Sequence, residues 1–353
     1  MAINKNFWKN KNILITGNTG FKGSWLTLFL NILGANIFGL SIDERDGIYN
    51  ISKVSKYVKA QYQADVSNLD INEMRGIFES LGIEIIFHFA AQSLVYEGYK
   101  SPRQTIETNI NGMFNILEVF NNIDGCKSII ISTTDKVYKN PQSINSEDYP
   151  LGGKDFYSAS KASSEFIIEA YKNSFLNDNK HISVVRSGNV IGGGDRAQDR
   201  LFTDIVNKSL QKQEIQIRNP KSIRPWQYVL DSLHGYLLVA QENYVLSKSN
   251  IYNLNSETNN KFDVQYIVEK FVELWGEDLK INYDNKSQYK EVDILKINSD
   301  KAINELGWRP MFEIDQIIEK IVNWEKSYSK DKNSKISISE IKEFIKLLEV
   351  NNN

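Results

Sequence analysis

The chain has 353 residues, of which 41% are hydrophobic and 24% charged, and its formal net charge is −2. This composition excludes a disordered or collagen-like chain, and the near-neutral charge argues against a nucleic-acid partner. The single cysteine, Cys126, excludes an intrachain disulfide and a cysteine metal cluster, and the three histidines are too widely spaced to suggest a zinc site, so no metal is expected.

Short apolar runs alternate with helical patterns in the first half of the chain. The first residues lead directly into an apolar run, unlike a signal peptide, and no run approaches the roughly 18 apolar residues that span a bilayer, so a cytoplasmic protein without a membrane partner is expected. The predicted strands are Asn12–Thr16, Asn36–Leu40, Tyr62–Val66, Ile85–Phe89, Ser128–Ser132 and Ile182–Arg186. Helices are predicted near Ser24–Leu33, Asp315–Lys326 and Ser337–Val350. Continuous apolar strands between helices predict an α/β fold with a Rossmann-type, doubly wound parallel sheet.

The regular alternation of apolar runs and helical patterns ends after about residue 190, where shorter, mixed elements begin. We therefore expect a first domain over residues 1–188, to which part of 230–260 returns. A smaller C-terminal α/β lobe and the last helices should occupy residues 189–353. Ser337 and Glu340 have the spacing of a capping box, which predicts that the last helix starts there.

A glycine-rich loop follows the first predicted strand. Gly17, Gly20 and Gly23 form a GxxGxxG pattern between this strand and a helical stretch. Glycine allows the backbone to turn sharply and approach a pyrophosphate, and the next helix directs its N-terminal N–H groups at the same place. The pattern predicts a dinucleotide site in the first domain; the alternative is a tight turn that holds no ligand.

The end of the second strand bears on which dinucleotide is bound. An acidic residue there usually binds the adenosine ribose, but Ser41 stands at this position and Asp43 follows it. No arginine directly follows Ser41 to hold a 2′-phosphate, which favours NAD, although Arg45 leaves NADP open. Asp65 and Val66 follow the third strand and are candidates to contact the adenine, with a turn-forming role for Asp65 as the alternative.

Tyr157 and Lys161 form a YxxxK pair, and residues four apart share one face of a helix. A nearby cation lowers the pKa of a phenol, which would make Tyr157 a usable base for a sugar hydroxyl. The alternative is a chance pair on an amphipathic helix. The polar run Ser132–Lys136 follows the fifth strand, at the end where open α/β sheets place their active sites, and therefore favours a catalytic interpretation.

These segments together resemble the extended short-chain dehydrogenase/reductase family, in particular its sugar-nucleotide epimerases and dehydratases, over nearly the whole chain. The segments that carry the resemblance are Gly17–Leu26, His88–Val95, Thr133–Tyr138, Leu151–Lys161, Gly188–Asp195, Ile217–Leu230 and Leu306–Pro310. The most specific are Lys22–Trp25 and the pair Asp135-Lys136. Typical members have isoleucine in place of Lys22, and related dehydratases have glutamate in place of Lys136.

The resemblance implies an NAD-dependent 4,6-dehydratase, which is a hydro-lyase that acts on a sugar nucleotide. The implied substrate is a CDP-hexose, CDP-glucose. In the implied reaction a hydride passes from C4 of the sugar to NAD, water leaves across C5 and C6, and the hydride returns to C6. A nucleotide-sugar epimerase or 4-reductase is the alternative, and the Asp135-Lys136 pair discriminates against it. The family also implies a homodimer or homotetramer and a place in the synthesis of bacterial surface polysaccharides such as O-antigen.

Catalytic roles follow from the same resemblance. Tyr157 would take the proton from O4, Lys161 would hold the nicotinamide ribose, and Thr134 would orient O4. Asp135 would give a proton to the departing C6 hydroxyl. Lys136 stands where a glutamate base is usual, and its role as a base or as an electrostatic assistant is left open.

The remaining candidates divide between cofactor and substrate. The predicted cofactor residues are Gly17, Thr19, Gly20, Phe21, Lys22, Gly23, Ser41, Asp43, Asp65, Val66, Phe89, Ala90, Ala91, Gln92, Tyr157 and Lys161. The predicted substrate residues are Ser93, Thr134, Asn189, Arg200, Arg218 and Arg224. A guanidinium can hold a phosphate in a bidentate manner, whereas surface solvation or an ion pair between lobes is the alternative for each arginine. His88, Trp226 and Trp308 are predicted to be structural.

Overall fold

A seven-stranded, entirely parallel sheet forms the centre of the molecule. The structure is a computed structural model and describes residues 3–44, 46–140, 144–256, 261–283 and 294–350. The strands are β1 (Asn12–Thr16), β2 (Asn36–Ser41), β3 (Ala60–Gln63), β4 (Ile85–His88), β5 (Ser128–Thr134), β6 (Ile144–Asn145), β7 (His181–Ser187), β8 (Asn189–Ile191), β9 (Ile215–Ile217), β10 (Trp226–Tyr228), β11 (Ile251–Leu254), β12 (Ile281–Tyr283) and β13 (Lys296–Ile297). The order in the main sheet is β11-β7-β5-β4-β1-β2-β3, which confirms the predicted doubly wound α/β fold.

Helices cover both faces of this sheet and build most of the rest of the molecule. They are α1 (Lys5–Trp8), α2 (Phe21–Ile32), α3 (Ile48–Ile51), α4 (Ile71–Ser80), α5 (Val95–Lys100), α6 (Pro102–Ile106), α7 (Gly112–Asn121), α8 (Phe156–Phe175), α9 (Leu201–Leu210), α10 (Val229–Leu246), α11 (Val264–Trp275), α12 (Asp300–Leu306), α13 (Ile314–Asp331) and α14 (Ile336–Val350). In the described part of the chain, none of these helices combines the length and apolar character required to cross a bilayer.

The apolar runs of the sequence are buried on both faces of the sheet. In β1, Ile13 and Ile15 belong to one hydrophobic cluster and Leu14 belongs to the other, because successive side chains of a strand point to opposite faces. Burial on both faces explains why the strands read as continuous apolar runs rather than as alternating ones. The sheet is therefore a rigid platform whose carboxyl edge carries the polar segments.

The third predicted strand, Tyr62–Val66, is displaced in the structure. The strand spans Ala60–Gln63, and its residue Ala60 pairs with Phe38 of β2. The strand prediction is wrong at its end because the Asp65 side chain accepts a hydrogen bond from the backbone N–H of Ser67, 2.9 Å away. This contact stabilises a 3-10 turn, which competes with continued strand pairing.

The segment after β7 forms short two-stranded sheets, β8–β10 and β9–β12, and β13 pairs with the earlier strand β6. Residues 229–254 lie with the main sheet instead: α10 packs on β5 and β7, and β11 is the outermost strand beside β7. Helix α9 packs on β9, and residues of β8, β9 and β10 line the cavity described below.

The last two helices are confirmed, but the predicted capping box at Ser337 is wrong. Helix α14 begins at Ile336, so Ser337 lies inside it. The Ser337 hydroxyl is buried and accepts a hydrogen bond from the indole N–H of Trp324 at 3.0 Å, and it lies 3.0 Å from the Ser52 hydroxyl. The side chain is therefore used to attach the C-terminal helices to the first half of the chain.

Candidate active site

A cavity of about 970 Å³ lies at the carboxyl ends of the central strands. The predicted site residues that line it are Gly17, Thr19, Gly20, Phe21, Lys22, Gly23, Ser41, Asp43, Asp65, Val66, Phe89, Ala90, Ala91, Gln92, Ser93, Thr134, Asp135, Lys136, Tyr157, Asn189, Arg200, Arg218 and Arg224. Lys161 is the predicted residue outside this lining. One continuous cavity thus joins the glycine loop to the YxxxK helix and to the arginines of the C-terminal half.

Three backbone segments lie close together at the glycine loop. Gly17 has φ +71°, and a Cβ atom there would lie 2.8 Å from the backbone nitrogen of Ala90. A Cβ atom on Gly23 would lie 2.2 Å from the carbonyl oxygen of Gly17. Side chains at these two positions would fill the turn, whereas glycine leaves space for a diphosphate beside the N-terminus of α2.

Ser41 is tied to the glycine loop. Its hydroxyl donates to the Asn18 side chain at 2.8 Å and accepts from the backbone N–H of Thr19 at 3.3 Å. Asn18 also donates to Gln61 at 2.7 Å and is fully buried. Ser41 therefore fixes the loop in addition to lining the cavity. Sequence reasoning missed Asn18, whose position between two loop glycines was the available signal.

Acidic residues surround the end of the cavity that lies beyond β2 and β3. Asp43, Glu44, Asp46 and Asp65 all line it. The carboxylate of Asp65 is already engaged by the hydroxyl and N–H of Ser67, as the turn-forming alternative predicted. The negative charge at this end is unfavourable for an additional phosphate. Arg45, which left NADP open, is outside the described residues.

Tyr157 lies in the first turn of α8, where Asp155 and Ser158 form a capping box. Burial raises the pKa of its phenol to about 12, a hydrogen bond with Thr134 lowers it, Asp135 raises it and Arg200 lowers it. The expectation that a cation lowers this pKa is wrong in direction for the chain alone, because removal of the phenolate from water outweighs the lowering by Thr134 and Arg200.

Lys161 lies behind the cavity wall. Its ammonium donates to the backbone carbonyl of Ser132 at 2.8 Å. Burial is the main reason that its pKa falls to about 8; the charge of Lys22 lowers the pKa further and that of Glu165 raises it. His88, predicted to be structural, is buried and lies 2.8 Å from the Thr16 hydroxyl, and burial together with Lys161 lowers its pKa to about 3.

The two carboxyl oxygens of Asp135, a residue of the cavity lining, have different surroundings. Its Oδ1 accepts from the Thr134 hydroxyl at 2.9 Å and lies 3.7 Å from the ammonium of Lys136. Its Oδ2 is buried and, within the described residues, has no hydrogen-bond partner. A buried carboxyl oxygen without a partner is costly unless a ligand binds it, so Asp135 is arranged to exchange a proton or a hydrogen bond with a ligand.

The segment after β4 forms one wall of the cavity. The Gln92 side chain donates to the Thr105 hydroxyl at 2.8 Å and to the Leu94 carbonyl at 3.0 Å, so its amide holds the wall together. Asn109 bonds the Gln92 backbone in both directions and donates to Ser160 of α8 at 2.9 Å. Asn109 was not predicted, because it is distant in sequence from every motif.

Arg200 bridges the two sides of the cavity. It donates to Asp195 at 2.8 Å and to the hydroxyl of Ser93 at 3.1 Å. The ion pair with Asp195 lies within the C-terminal half of the chain, so it is the hydrogen bond to Ser93, rather than an interlobe ion pair, that reaches across the cavity. Arg224 is buried in the cavity wall and Arg218 is exposed at its rim. Asp195, missed as a site residue, directly follows the Gly192–Gly194 run, which was the available signal.

The glycine run itself is held by the C-terminal helices. Glu325 of α13 accepts from the backbone N–H of Gly194 at 2.9 Å and from the guanidinium of Arg196 at 2.8 Å. The Gly194 carbonyl accepts from the N–H of Ile48 at 2.9 Å. Trp226 and Trp308 are buried, as predicted for structural residues, although Trp226 also contributes to the cavity wall.

The chain is similar to known proteins over most of its length. A protein-family model described as GDP-mannose 4,6 dehydratase matches residues 14–321. CDP-glucose 4,6-dehydratase of Salmonella typhimurium strain LT2 is 37% identical over 338 residues, which cover 92% of this chain and 93% of that protein.

Two solved structures share the fold. UDP-glucose 4-epimerase from Stenotrophomonas maltophila, with bound NAD and formylated UDP-arabinopyranose, has a TM-score of 0.81 at 19% identity and covers 91% of this chain and 99% of its own. dTDP-glucose 4,6-dehydratase from Bacillus anthracis in complex with NAD has a TM-score of 0.75 at 22% identity, covering 91% of this chain and 97% of its own.

Proposed function

Because this chain belongs to the GDP-mannose 4,6-dehydratase family, we propose that it is an NAD-dependent sugar-nucleotide 4,6-dehydratase that converts CDP-glucose to CDP-4-dehydro-6-deoxyglucose. The observation that carries the proposal is the position of Asp135 beside Thr134 and Tyr157 in one cavity, with a buried carboxyl oxygen free of protein partners. An epimerase needs the base but has no hydroxyl to expel, so it has no use for this acid.

NAD, when bound, would accept a hydride from the sugar and return it. The space left by Gly17 and Gly23 and the N-terminus of α2 fit its diphosphate. The acidic surroundings of Asp43 and Asp65 favour a ribose with free hydroxyls over one that carries a 2′-phosphate. These features support NAD rather than NADP.

Side chains of this chain carry out the proton transfers of the reaction. Tyr157 takes the proton of O4, and Thr134, which hydrogen-bonds the phenol, orients this oxygen. The resulting 4-ketone acidifies the proton on C5. Asp135 gives its proton to the C6 hydroxyl, which leaves as water when the C5 proton is removed. Lys136 lies 3.7 Å from Asp135. The C5 proton passes either to the amine of Lys136 in its neutral form or to a water molecule that the charge of Lys136 orients.

The substrate nucleotide would occupy the C-terminal side of the cavity. Arg224, Arg218 and Asn189, all from the C-terminal half of the chain, line the cavity. A buried guanidinium such as that of Arg224 matches two oxygens of a diphosphate. The preference for cytidine is supported by the Salmonella relative rather than by a base contact.

Incubation with CDP-glucose and NAD tests the proposal. The expected product is a 4-keto-6-deoxy sugar, detected by its alkali-induced absorbance and by the mass lost with water. Deuterium placed on C4 should appear on C6. If no ketone forms, or if the 6-hydroxyl is retained while C4 is inverted, the dehydratase assignment is wrong.

A second measurement addresses the nucleotide. Thermal shifts with CDP-, dTDP-, GDP- and UDP-glucose at equal concentrations rank their binding, because a ligand of the native state raises apparent stability. The largest shift is expected with CDP-glucose. A larger shift with another nucleotide would contradict the cytidine assignment while leaving the reaction type open to the product assay.

We also propose that two copies of the chain associate through α7 and α8. These neighbouring helices carry Phe114, Phe166 and Phe175, of which Phe166 and Phe175 are more than half exposed. Exposed aromatic side chains on adjacent helices favour an interface. Sedimentation should give a dimer or a dimer of dimers, and Phe166→Glu should give a monomer. A monomeric wild-type chain would contradict the proposal.

A further inference from the structure

One segment of the chain, Gly192–Arg200, contacts both the loops proposed to bind NAD and the cavity wall formed after β4. This connecting segment begins directly after β8 and ends directly before α9. Its residues Gly194, Asp195, Arg196 and Arg200 line the cavity. Contacts on its two sides therefore reach both groups of elements that the ligands would touch.

On one side, the connecting segment packs against the cofactor loops. The backbone N–H of Ile48, at the start of α3, donates to the Gly194 carbonyl at 2.9 Å. Gly47, with φ +111°, leaves room for this contact, because a Cβ atom there would lie 2.7 Å from the same oxygen. A Cβ atom on Gly192 would lie 3.3 Å from the ring of Phe21 in the glycine loop. Because packed interiors transmit small displacements, a change in either loop is felt by the connecting segment.

On the other side, the connecting segment holds Arg200. The Asp195 carboxylate accepts from the Arg200 guanidinium at 2.8 Å and from the backbone N–H of Ala197 at 3.1 Å. Arg200 also donates to the hydroxyl of Ser93 at 3.1 Å. Its charge is close enough to Tyr157 to lower the pKa of that phenol. The position of the connecting segment therefore sets the position of a cation near the proposed base.

Glu325 of α13 fixes the middle of the connecting segment. Its side chain is 2% exposed and accepts from the Gly194 N–H at 2.9 Å and from two nitrogens of the Arg196 guanidinium. Such a two-point contact with a guanidinium has a defined geometry. A buried ion pair adds little net stability, so its use here points to orientation. Glu325 lies outside the cavity lining, so its influence on a ligand must pass through the connecting segment.

We propose that Glu325 is a positioning residue that couples the two ligands: it holds the connecting segment so that NAD and the sugar nucleotide strengthen each other's binding. The inference deepens the proposed function and rests on it for the identity of the ligands. With NAD bound, the cofactor loops are held in one position, and Ile48 and Phe21 then hold the connecting segment. The substrate stabilises the same position through Arg200, and thermodynamic linkage makes the effect reciprocal.

Titration of the full-length chain with NAD, with and without saturating CDP, measures this coupling. CDP carries the diphosphate that guanidinium groups bind, but it has no sugar, so no hydride transfer interferes. In the wild type, we expect CDP to lower the dissociation constant of NAD about tenfold, and NAD to lower that of CDP by the same factor. In Glu325→Gln, the amide still accepts from Gly194 but cannot neutralise Arg196. Each ligand alone should then bind within about twofold of the wild type, whereas the coupling should fall below about twofold.

Glu84 provides a matched control. Its carboxylate accepts from the Lys11 ammonium at 2.6 Å and from the backbone N–H of Asn12 at 3.1 Å, so it joins a cation and a backbone N–H as Glu325 does. These residues lie at the amino ends of β1 and β4, outside the cavity lining. Glu84→Gln should keep the wild-type coupling. The proposal is overturned if the wild type shows no coupling, if folded Glu325→Gln keeps it, or if Glu84→Gln loses it equally.

Ser93→Ala tests the other end of the connecting segment, and its exposed position keeps the test decisive if Glu325→Gln does not fold. The substitution removes the acceptor of Arg200. CDP alone should bind this variant as tightly as it binds the wild type, and only the gain in affinity that NAD provides should be lost. Full coupling in Ser93→Ala, or a weakening of CDP that is equal with and without NAD, would contradict the proposal.

Kinetics with CDP-glucose provide the second readout. In Glu325→Gln, the KM for CDP-glucose at saturating NAD should rise about tenfold, while reduction of bound NAD in a single turnover at saturating substrate should stay within about threefold of the wild-type rate. A rate loss as large as the rise in KM would mean that the catalytic groups themselves are displaced, and the proposal would be wrong.

Failure of the proposed function is distinguishable from failure of the coupling. If CDP does not bind, or if CDP-glucose is not converted, the proposed function is wrong. The same titration with UDP, dTDP or GDP, whichever raises the thermal stability most, then still decides whether Glu325 couples the two ligands.

Discussion

Glu165 of α8 and Arg186 of β7 form a buried ion pair beside β5, the strand that carries the candidate active-site threonines. Arg186 Nε lies 3.1 Å from Oε1 and 3.0 Å from Oε2 of Glu165. The Thr133 hydroxyl donates to the same carboxylate at 2.7 Å, and Arg186 donates to the Tyr138 hydroxyl at 2.9 Å. Both ends of the segment from Thr133 to Tyr138 are therefore attached to one charged pair.

Breaking this pair from one side should destabilise the protein. Glu165→Met leaves the Arg186 charge buried without a counter-ion, and we expect a loss of about 3–5 kcal/mol in the free energy of unfolding, measured with urea. The double variant Glu165→Met with Arg186→Met removes both charges and should recover part of that loss. Additive losses in the double variant would mean that the two side chains are not energetically coupled.

Replacement of the proposed base should separate binding from chemistry. Tyr157→Phe keeps the buried ring but removes the hydroxyl that would take the O4 proton, so NAD binding should persist while the first hydride transfer slows by about 10²–10⁴. NAD reduction in a single turnover measures this step. Tyr149→Phe, at an exposed tyrosine, is the control and should retain the wild-type rate. A Tyr157→Phe variant with normal turnover would remove Tyr157 from the mechanism.

Replacement of the proposed acid should stop the reaction halfway. Asp135→Asn preserves the side-chain shape and the acceptor for Thr134, but an amide cannot protonate the departing C6 hydroxyl. C4 oxidation should proceed and elimination should slow by about 10²-fold or more, so that reduced cofactor accumulates on the enzyme. Its absorbance and the amount of 6-deoxy product are the two measurements. The control variant Asp148→Asn, at an exposed position, should accumulate no reduced cofactor. Unchanged product formation by Asp135→Asn would contradict the assignment of Asp135 as the acid.

The sheet and its active edge could be predicted because local signals determine them. An apolar run such as Asn12–Thr16 and the glycines that follow it specify a buried strand and a sharp turn without reference to the rest of the chain. The YxxxK spacing and the polar residues at the end of β5 place Tyr157 and Thr134 at the same edge for the same reason. Strand ends were less predictable: β5 extends to Thr134 because its pairing with β7 continues to Ser187.

The contacts that determine the properties of these groups are long-range, and no local pattern encodes them. Lys22 meets Ser132 across 110 residues, and Arg200 meets Ser93 across 107. The pKa of Tyr157 was predicted in the wrong direction because the YxxxK spacing indicates a nearby charge but says nothing of burial. Burial depends on the packing of α8 against elements far along the chain, which the structure alone provides.

Two carboxyl groups outside the cavity, those of the buried Asp231 and the half-buried Glu340, should affect stability as the pH changes. Burial raises the pKa of Asp231 and of Glu340 to about 7. Asp231 accepts a hydrogen bond from the N–H of Met311 at 2.8 Å, which attaches α10 to the segment before α13. Since the folded pKa values lie above those of the unfolded chain, the folded state binds more protons between about pH 4 and pH 7, and each group loses its stabilising contribution as the pH rises through 7. His88 acts in the opposite direction below about pH 6.5, because burial lowers its pKa to about 3.

A comparison of variants isolates the carboxyl contribution from that of His88. Asp231→Asn keeps the acceptor for Met311 but cannot ionise, so the free energy of unfolding of this variant, relative to the wild type, should rise by about 1–2 kcal/mol between pH 5 and pH 8. Glu340→Gln should independently give a rise of the same sign in the free energy of unfolding relative to the wild type. Urea unfolding at several pH values measures both differences, and the His88 contribution cancels because it is common to all three proteins. A difference that stays constant across this range would mean that these carboxyl groups ionise equally in the folded and unfolded states.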